Sequence, residues 1–311
     1  PPPEDLLVVS VGNLRVGGTG KTPVVCQLAR DLAAAGIVGG VITRGYRAAD
    51  ATPRLVAAGD AHAGDEARLL AGRLAGVGWS VIQAARREIG LDLLRRQAPG
   101  ARVALLEDAH QTAGIGRHTD ILILDRWHAA DDGLRPAAGA VMPLGSYRET
   151  AEGAGRADIW LVESDDGLPA RGVTGQPVAG FARRPRLESA NHLLRPGQRV
   201  GLVSGLARPR GFEATSARLL PAAPVLSLRL PDHCAYGERE LGRIATLADA
   251  HGLDAWLTTE KDLVKLGGRW PLPRPPAWVR LDVVWTTTPT LPELVGERLR
   301  RLAAGRTTDG A

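Results

Sequence analysis

Early in the chain a mainly apolar stretch, Leu7-Val8-Val9-Ser10-Val11, runs into a glycine-rich turn closed by Gly20-Lys21-Thr22 and then into a helical pattern. Few folds accept that order. The apolar stretch reads as a buried strand. Glycines let backbone N–H groups close on an anion, and the helix N-terminus behind them adds the positive end of its dipole. The helical face is carried by Val24, Val25, Leu28, Ala29, Leu32 and Ala33, with Pro23 in the first turn and Gly36 as a stop. This is the order of a cradle for nucleotide phosphates. Gly17, Gly18, Thr19 and Gly20 would line it, Lys21 would reach the outer phosphates, and the Thr22 hydroxyl would ligate Mg²⁺. The usual spacing asks for a glycine five residues before Gly20; Arg15 stands there, so the loop is a variant.

At 311 residues the chain has room for two domains, or for one large α/β domain with an appendage. Hydrophobic content of 44 % and charged content of 23 % are globular values that supply a sizeable core. The net charge of +5 suits an anionic partner, but arginines are spread along the whole chain without a dense basic run, and no nucleic-acid partner is expected. Cys26 and Cys234 lie far apart with no metal-type spacing, which fits a reducing compartment. No run of about 18 apolar residues is present to span a bilayer, and no signal-peptide pattern precedes the first strand.

Strand and helix patterns alternate, predicting an α/β fold with a mainly parallel sheet covered on both faces. Strands are expected at 38–43, 79–83, 103–106, 121–124 and 159–162, with helices at 65–74 and 86–96. Residues 126–155 are rich in Gly, Ala and Pro. From 167 to 196 periodicity is poor, with prolines at 169, 177, 185 and 196. A second alternation follows: strand 200–203, helix 211–219, strand 225–228, helix 238–250, strands 255–257 and 279–284, and a closing helix 291–302. The expected organisation is therefore a P-loop NTPase-like first domain over 1–166 and a linker over 167–197. A second, smaller α/β domain over 198–311 follows, with a C-terminal helix that can pack back.

Three further segments carry chemistry. The strand 103–106 ends in Glu107-Asp108, and in phosphate-cradle proteins such a strand points acids at the Mg²⁺ beside the Thr hydroxyl. Gly64-Asp65-Glu66 opens a helix, where spacing alone reads Asp65 as an N-cap or a dipole-favoured acid. His233 sits in the polar insert Pro231-Asp232-His233-Cys234-Ala235-Tyr236; a loop His is usually a surface residue, but beside a carboxylate it can activate a hydroxyl. Thr258-Thr259-Glu260-Lys261-Asp262 again reads as a helix N-cap, with Lys261 able to meet a phosphate.

Taken in order, these segments resemble the tetraacyldisaccharide 4′-kinase family of lipid A biosynthesis. The resemblance runs over nearly the whole chain. It rests on SVGNLRVGGTGKTP at the cradle, ITRGY at 42–46, GDEARLLA at 64–71, RADIWLVES at 156–164, PDHCAY at 231–236 and TTEKDLVKL at 258–266. It implies two α/β/α domains joined by a linker, with the active site between them. It also implies transfer of the ATP γ-phosphate, with Mg²⁺, to the 4′-hydroxyl of an acylated glucosamine disaccharide 1-phosphate. Carried over by motif, Asp65 would be the catalytic base and His233 its partner, with Thr22, Glu107 and Asp108 toward the metal. The expected setting is cytoplasmic, peripheral at the cytoplasmic face of the inner membrane, although the family's N-terminal membrane-associating helix is missing from this sequence. The family's strand end usually reads Asp-Asp-Gly-Phe/Leu-Gln-His, whereas here it is Glu107-Asp108-Ala109-His110-Gln111-Thr112. An Ala cannot freely take a positive φ if the glycine needed one. That segment supports an alternative, a diverged, non-catalytic ATP-binding module; a further reading is an unrelated phosphate-cradle ATPase, which would leave PDHCAY and TTEKDLVKL as accidents.

Overall fold

The computed structural model describes residues 2–308 apart from 18, 19, 47, 166, 167 and 191–193. Two compact units emerge: residues 1–183 with 283–311, and residues 184–282.

In the first unit, β1 (Leu7–Asn13) leads to α1 (Lys21–Ala34), β2 (Gly39–Thr43), β3 (Arg54–Leu55), α2 (Asp65–Leu74), β4 (Ser80–Gln83) and α3 (Arg87–Gln97). Then come β5 (Val103–Glu107), β6 (Thr119–Leu124), the hairpin β7 (Trp127–Ala130) and β8 (Gly133–Pro136), β9 (Ile159–Glu163) and β10 (Val178–Glu188). Its sheet is ordered β10-β9-β6-β1-β5-β2-β4-β3 and is parallel except for β3 against β4. Central strands of such a sheet are covered on both faces and therefore read as continuous apolar runs. Strand alternation sends Val9, Val11, Leu105 and Ile121 toward Val24, Leu28 and Leu32 of α1 and Leu70 of α2, and sends Val8, Ala104 and Leu106 toward Leu91 and Leu94 of α3.

The second unit holds β11 (Val200–Ser204), α4 (Pro209–Leu219), β12 (Leu226–Arg229), α5 (Glu238–His251), β13 (Ala255–Thr259), α6 (Glu260–Leu266) and all but the last three residues of β14 (Ala277–Trp285). Its parallel strands are ordered β12-β11-β13-β14. Ile244 of α5, Tyr236 and Leu266 pack with Val203 and Trp256, while Phe212 of α4 packs with Leu202 and Leu257. The chain then re-enters the first unit, where α7 (Leu291–Thr308) buries Leu291, Val295 and Leu299 in the same core as α1.

The unit boundaries thus differ from the sequence expectation. The stretch 167–197 contains an eleven-residue strand, β10, whose first half is buried. Residues 283–311 belong with the first unit, so the expected second domain ends near 282 rather than at the C-terminus. Asp166 and Gly167, where the expected linker begins, lie outside the described residues. No helix among the described residues is long and apolar enough to cross a membrane.

Candidate active site

The cradle is launched from the middle of the sheet. Val11 of β1 pairs with Glu107 of β5, so the strand leading into the glycine turn and the strand ending in carboxylates are neighbours. Gly17 and Gly20 have φ of 104° and 84°, in the left-handed region that favours glycine, and Gly20 stands directly before α1. Gly18 and Thr19, also expected to line the cradle, lie outside the described residues. Lys21 Nζ donates to Asn13 Oδ1 at 3.2 Å and lies 3.5 Å from Asp108 Oδ1. The Thr22 hydroxyl donates to Glu107 Oε1 at 2.7 Å.

Arg15, the residue that breaks the usual glycine spacing, is buried and anchors the loop. Its Nε donates to Ser146 Oγ at 3.0 Å, its guanidinium pairs with Asp125, and it lies 5.4 Å from the Tyr147 ring centroid. Backbone bonds from Val16 to Ser146 and from Arg148 to Leu14 complete the splint. Part of the Gly/Ala/Pro-rich segment 126–155 therefore buttresses the start of the cradle.

Glu107 is the electrostatic centre of the site. Burial, followed by the charge of Glu66, pushes its carboxyl up to about 7, against the pull of the Thr22 hydrogen bond. Its Oε2 is buried and makes no hydrogen bond. An unmatched carboxylate oxygen and a threonine hydroxyl at the mouth of a phosphate cradle form the hard oxygen set that Mg²⁺ takes together with phosphate and water. Thr22 and Glu107 thus fit the ion. Asp108 stands differently: Arg148 grips both its oxygens, at 2.7 and 2.9 Å. Burial would raise the Asp108 carboxyl, but the Arg148 hydrogen bonds and the Lys21 charge outweigh it and hold it low. Its carboxylate faces two cations, Arg148 and Lys21.

The positive φ, 55°, falls on Asp108, and Ala109 takes none. His110 is buried, with Nδ1 2.8 Å from Asp120 Oδ2 and Nε2 3.2 Å from the Gly153 carbonyl. It lies over Gly12, where an added Cβ would come within 2.4 Å of His110 Cβ. His110 is therefore a packing residue under the cradle.

Asp65 is the first residue of α2; the cap position belongs to Gly64, and no side chain caps the helix. Gly64 N–H donates to Gln83 Oε1 at 2.8 Å, and a Cβ there would stand 3.0 Å from the Tyr46 carbonyl, so the ITRGY loop packs against the start of α2. Asp65 and Glu66 share the first turn, where the helix dipole favours their charge.

His233 belongs to the second unit and has a φ of 58°. Its Nε2 is 3.4 Å from Lys261 Nζ and 3.9 Å from Asp232 Oδ2. The capping reading of the TTEKD segment holds: Thr259 accepts from Asp262 N–H at 3.1 Å, and the buried Asp262 accepts from Gly205 N–H at 3.1 Å and pairs with Lys265 at 2.8 Å.

Sequence reasoning missed Arg87. It is buried, donating to the carbonyls of Ala84 at 2.9 Å and Glu107 at 2.8 Å, and burial lowers its pKa. It also missed Gln111, which bridges the Asn13 carbonyl and Glu149, each at 2.8 Å. Gln111 stands at the Gln of the family's strand-end pattern, which was the available signal, whereas Arg87 stands in no pattern that distinguishes it from an ordinary surface residue.

A parallel sheet that presents a left-handed glycine, a lysine, and a hydroxyl–carboxylate pair at adjacent strand ends defines an α/β protein of the P-loop phosphotransferase class. A family model described as LpxK, tetraacyldisaccharide-1-P 4′-kinase, matches residues 4–300. The chain belongs to that family. The tetraacyldisaccharide 4′-kinase of Anaeromyxobacter sp. (strain K) is 36 % identical over 283 residues, covering 83 % of this chain and 72 % of the relative. That of Geobacter metallireducens is 33 % identical over 293 residues, covering 89 % and 81 %. The crystal structure of Aquifex aeolicus LpxK, described as an "apo" form in complex with ATP, superposes with a TM-score of 0.68 at 26 % identity, covering 94 % of this chain and 89 % of that one.

Proposed function

We propose that this chain is an ATP-dependent kinase that transfers the γ-phosphate to the 4′-hydroxyl of a tetraacyl disaccharide 1-phosphate, working peripherally at the cytoplasmic face of the inner membrane. The observation that carries the reading is the cradle with Thr22 and Glu107 joined at 2.7 Å, in a chain of the 4′-kinase family. Lys21 holds the outer phosphates, and Thr22 and Glu107 hold Mg²⁺. When bound, the ion draws charge from the phosphate oxygens. Asp65 takes the proton of the acceptor hydroxyl, with His233 as its partner. The sugar oxygen bonds to the γ-phosphorus as the bond to the bridging β,γ oxygen breaks, and ADP leaves. The strand end behind the non-catalytic alternative still brings Thr22 and Glu107 together, and the matched relatives carry the kinase name. The test is transfer from γ-labelled ATP to the lipid acceptor in detergent micelles: it should occur with the wild-type chain and vanish with Lys21→Ala. Nucleotide binding without transfer, in conditions where a known family member is active, would overturn the reading.

A further inference from the structure

We infer that Arg183 is an additional phosphate-binding residue, reaching the cradle from β10 and paired with Glu163 until an anion takes its place. The inference rests on the reading of the cradle as a nucleotide site. β9 ends at Glu163, which pairs with Phe181 of β10 in parallel register, so Arg183, two residues further along β10, emerges beside it. Arg183 Nε donates to Glu163 Oε1 at 2.7 Å and the terminal nitrogen donates to Oε2, a two-pronged grip. The same side chain passes over Gly20: a Cβ built there would stand 3.7 Å from both Cδ and Nη1 of Arg183. Gly20 is the left-handed residue directly before Lys21. An anion held at the start of α1 therefore lies beside the Arg183 guanidinium.

The pair has little structural reason to be there. The two side chains are 34 % and 39 % exposed, and an exposed ion pair stabilises a fold weakly. It leaves the guanidinium beside Gly20 and available for exchange. The guanidinium fork matches phosphate as well as it matches carboxylate, and a polyphosphate carries more charge than Glu163 does. Nucleotide would therefore draw Arg183 from Glu163. Lys21 and Arg183 would then meet the phosphates from two different elements, and the second cation would spread the charge that builds as the β,γ bond breaks.

The test compares Mg-ATP affinity and kcat/KM in the wild-type chain with Arg183→Ala, Arg183→Lys and Glu163→Gln, with circular dichroism to verify folding. The expected result is asymmetric. Arg183→Ala weakens Mg-ATP binding by about 10-fold or more and Arg183→Lys recovers part of the loss, while Glu163→Gln binds Mg-ATP at least as tightly as the wild type. Unchanged affinity in Arg183→Ala, or equal losses in Arg183→Ala and Glu163→Gln, would overturn the inference by showing a merely structural pair. If the wild-type chain failed to bind ATP, or Lys21→Ala bound it as well as wild type, the cradle reading itself would fall and Arg183 with it.

Discussion

The hydroxyl of Thr22 donates to Oε1 of Glu107 at 2.7 Å, while Oε2 of the same carboxyl is buried without a hydrogen bond. A buried acid left half satisfied is unfavourable for folding and useful for metal binding, and the two properties separate experimentally. The Glu107 pKa is about 7 in the fold against an ordinary 4.5, so between those values the folded chain keeps a proton that the unfolded chain releases. The stability this gives is complete below about pH 4.5 and is lost as pH rises through 7. Glu107→Gln, which has no charge to bury, should therefore unfold at a temperature close to wild type at pH 5 and at a higher one at pH 8, without metal or nucleotide. Its phosphate transfer should fall by about 100-fold or more. Thermal unfolding at both pH values decides the point, and equal shifts at the two would contradict it.

Gly12 and Gly72 should respond to the same substitution with opposite signs. A Cβ on Gly12 meets His110 Cβ at 2.4 Å and His110 N at 2.9 Å, and backbone cannot yield cheaply. Gly12→Ala should lose about 1–3 kcal/mol. Gly72 lies inside α2 with open space around it, and Gly72→Ala should gain about 0.5–1 kcal/mol. Urea midpoints of the two variants report both signs.

If His110 only packs under the cradle, removing its carboxylate should harm the fold and spare the chemistry. Asp120→Ala leaves a buried imidazole nitrogen without its partner at 2.8 Å and should lower stability by about 1–3 kcal/mol. The KM for ATP of the folded fraction should stay at the wild-type value. A raised KM measured well below the unfolding temperature would place His110 in the nucleotide site.

The proposed base and its partner should affect turnover rather than nucleotide binding. Asp65→Asn and His233→Ala should each lower kcat by about 100-fold or more and leave the ATP dissociation constant within about 2-fold. Matching losses in ATP affinity would instead make these residues part of the nucleotide site.

Local signals carried most of the architecture. The helix over Asp65–Leu74 appears where its periodicity places it, and β1, β5 and β9 announce themselves because burial on both faces makes them mainly apolar. β10 was hidden. Its outer half carries Arg183, Arg184, Pro185 and Arg186, a composition that reads as a loop, while Val178–Ala182 is too short a buried run to stand out. For 283–311 the sequence offered only that the closing helix can pack back, because an apolar helix face does not say which core it joins. At the site, the glycine, lysine, threonine and strand-end acids were legible from local order. The roles of Arg15, Arg87, Gln111 and Arg148 were not, since each acts on a residue far along the chain and a lone polar side chain does not name its partner.

The central claim is that this chain phosphorylates the 4′-hydroxyl of a lipid disaccharide. Its most direct measurement is the product formed from Mg-ATP and a tetraacyl disaccharide 1-phosphate in detergent micelles, with the new phosphate located by phosphorus and proton NMR. The account predicts a 1,4′-bisphosphate, formed in step with ADP. Release of free phosphate without a modified lipid, or phosphate at another hydroxyl, would contradict it.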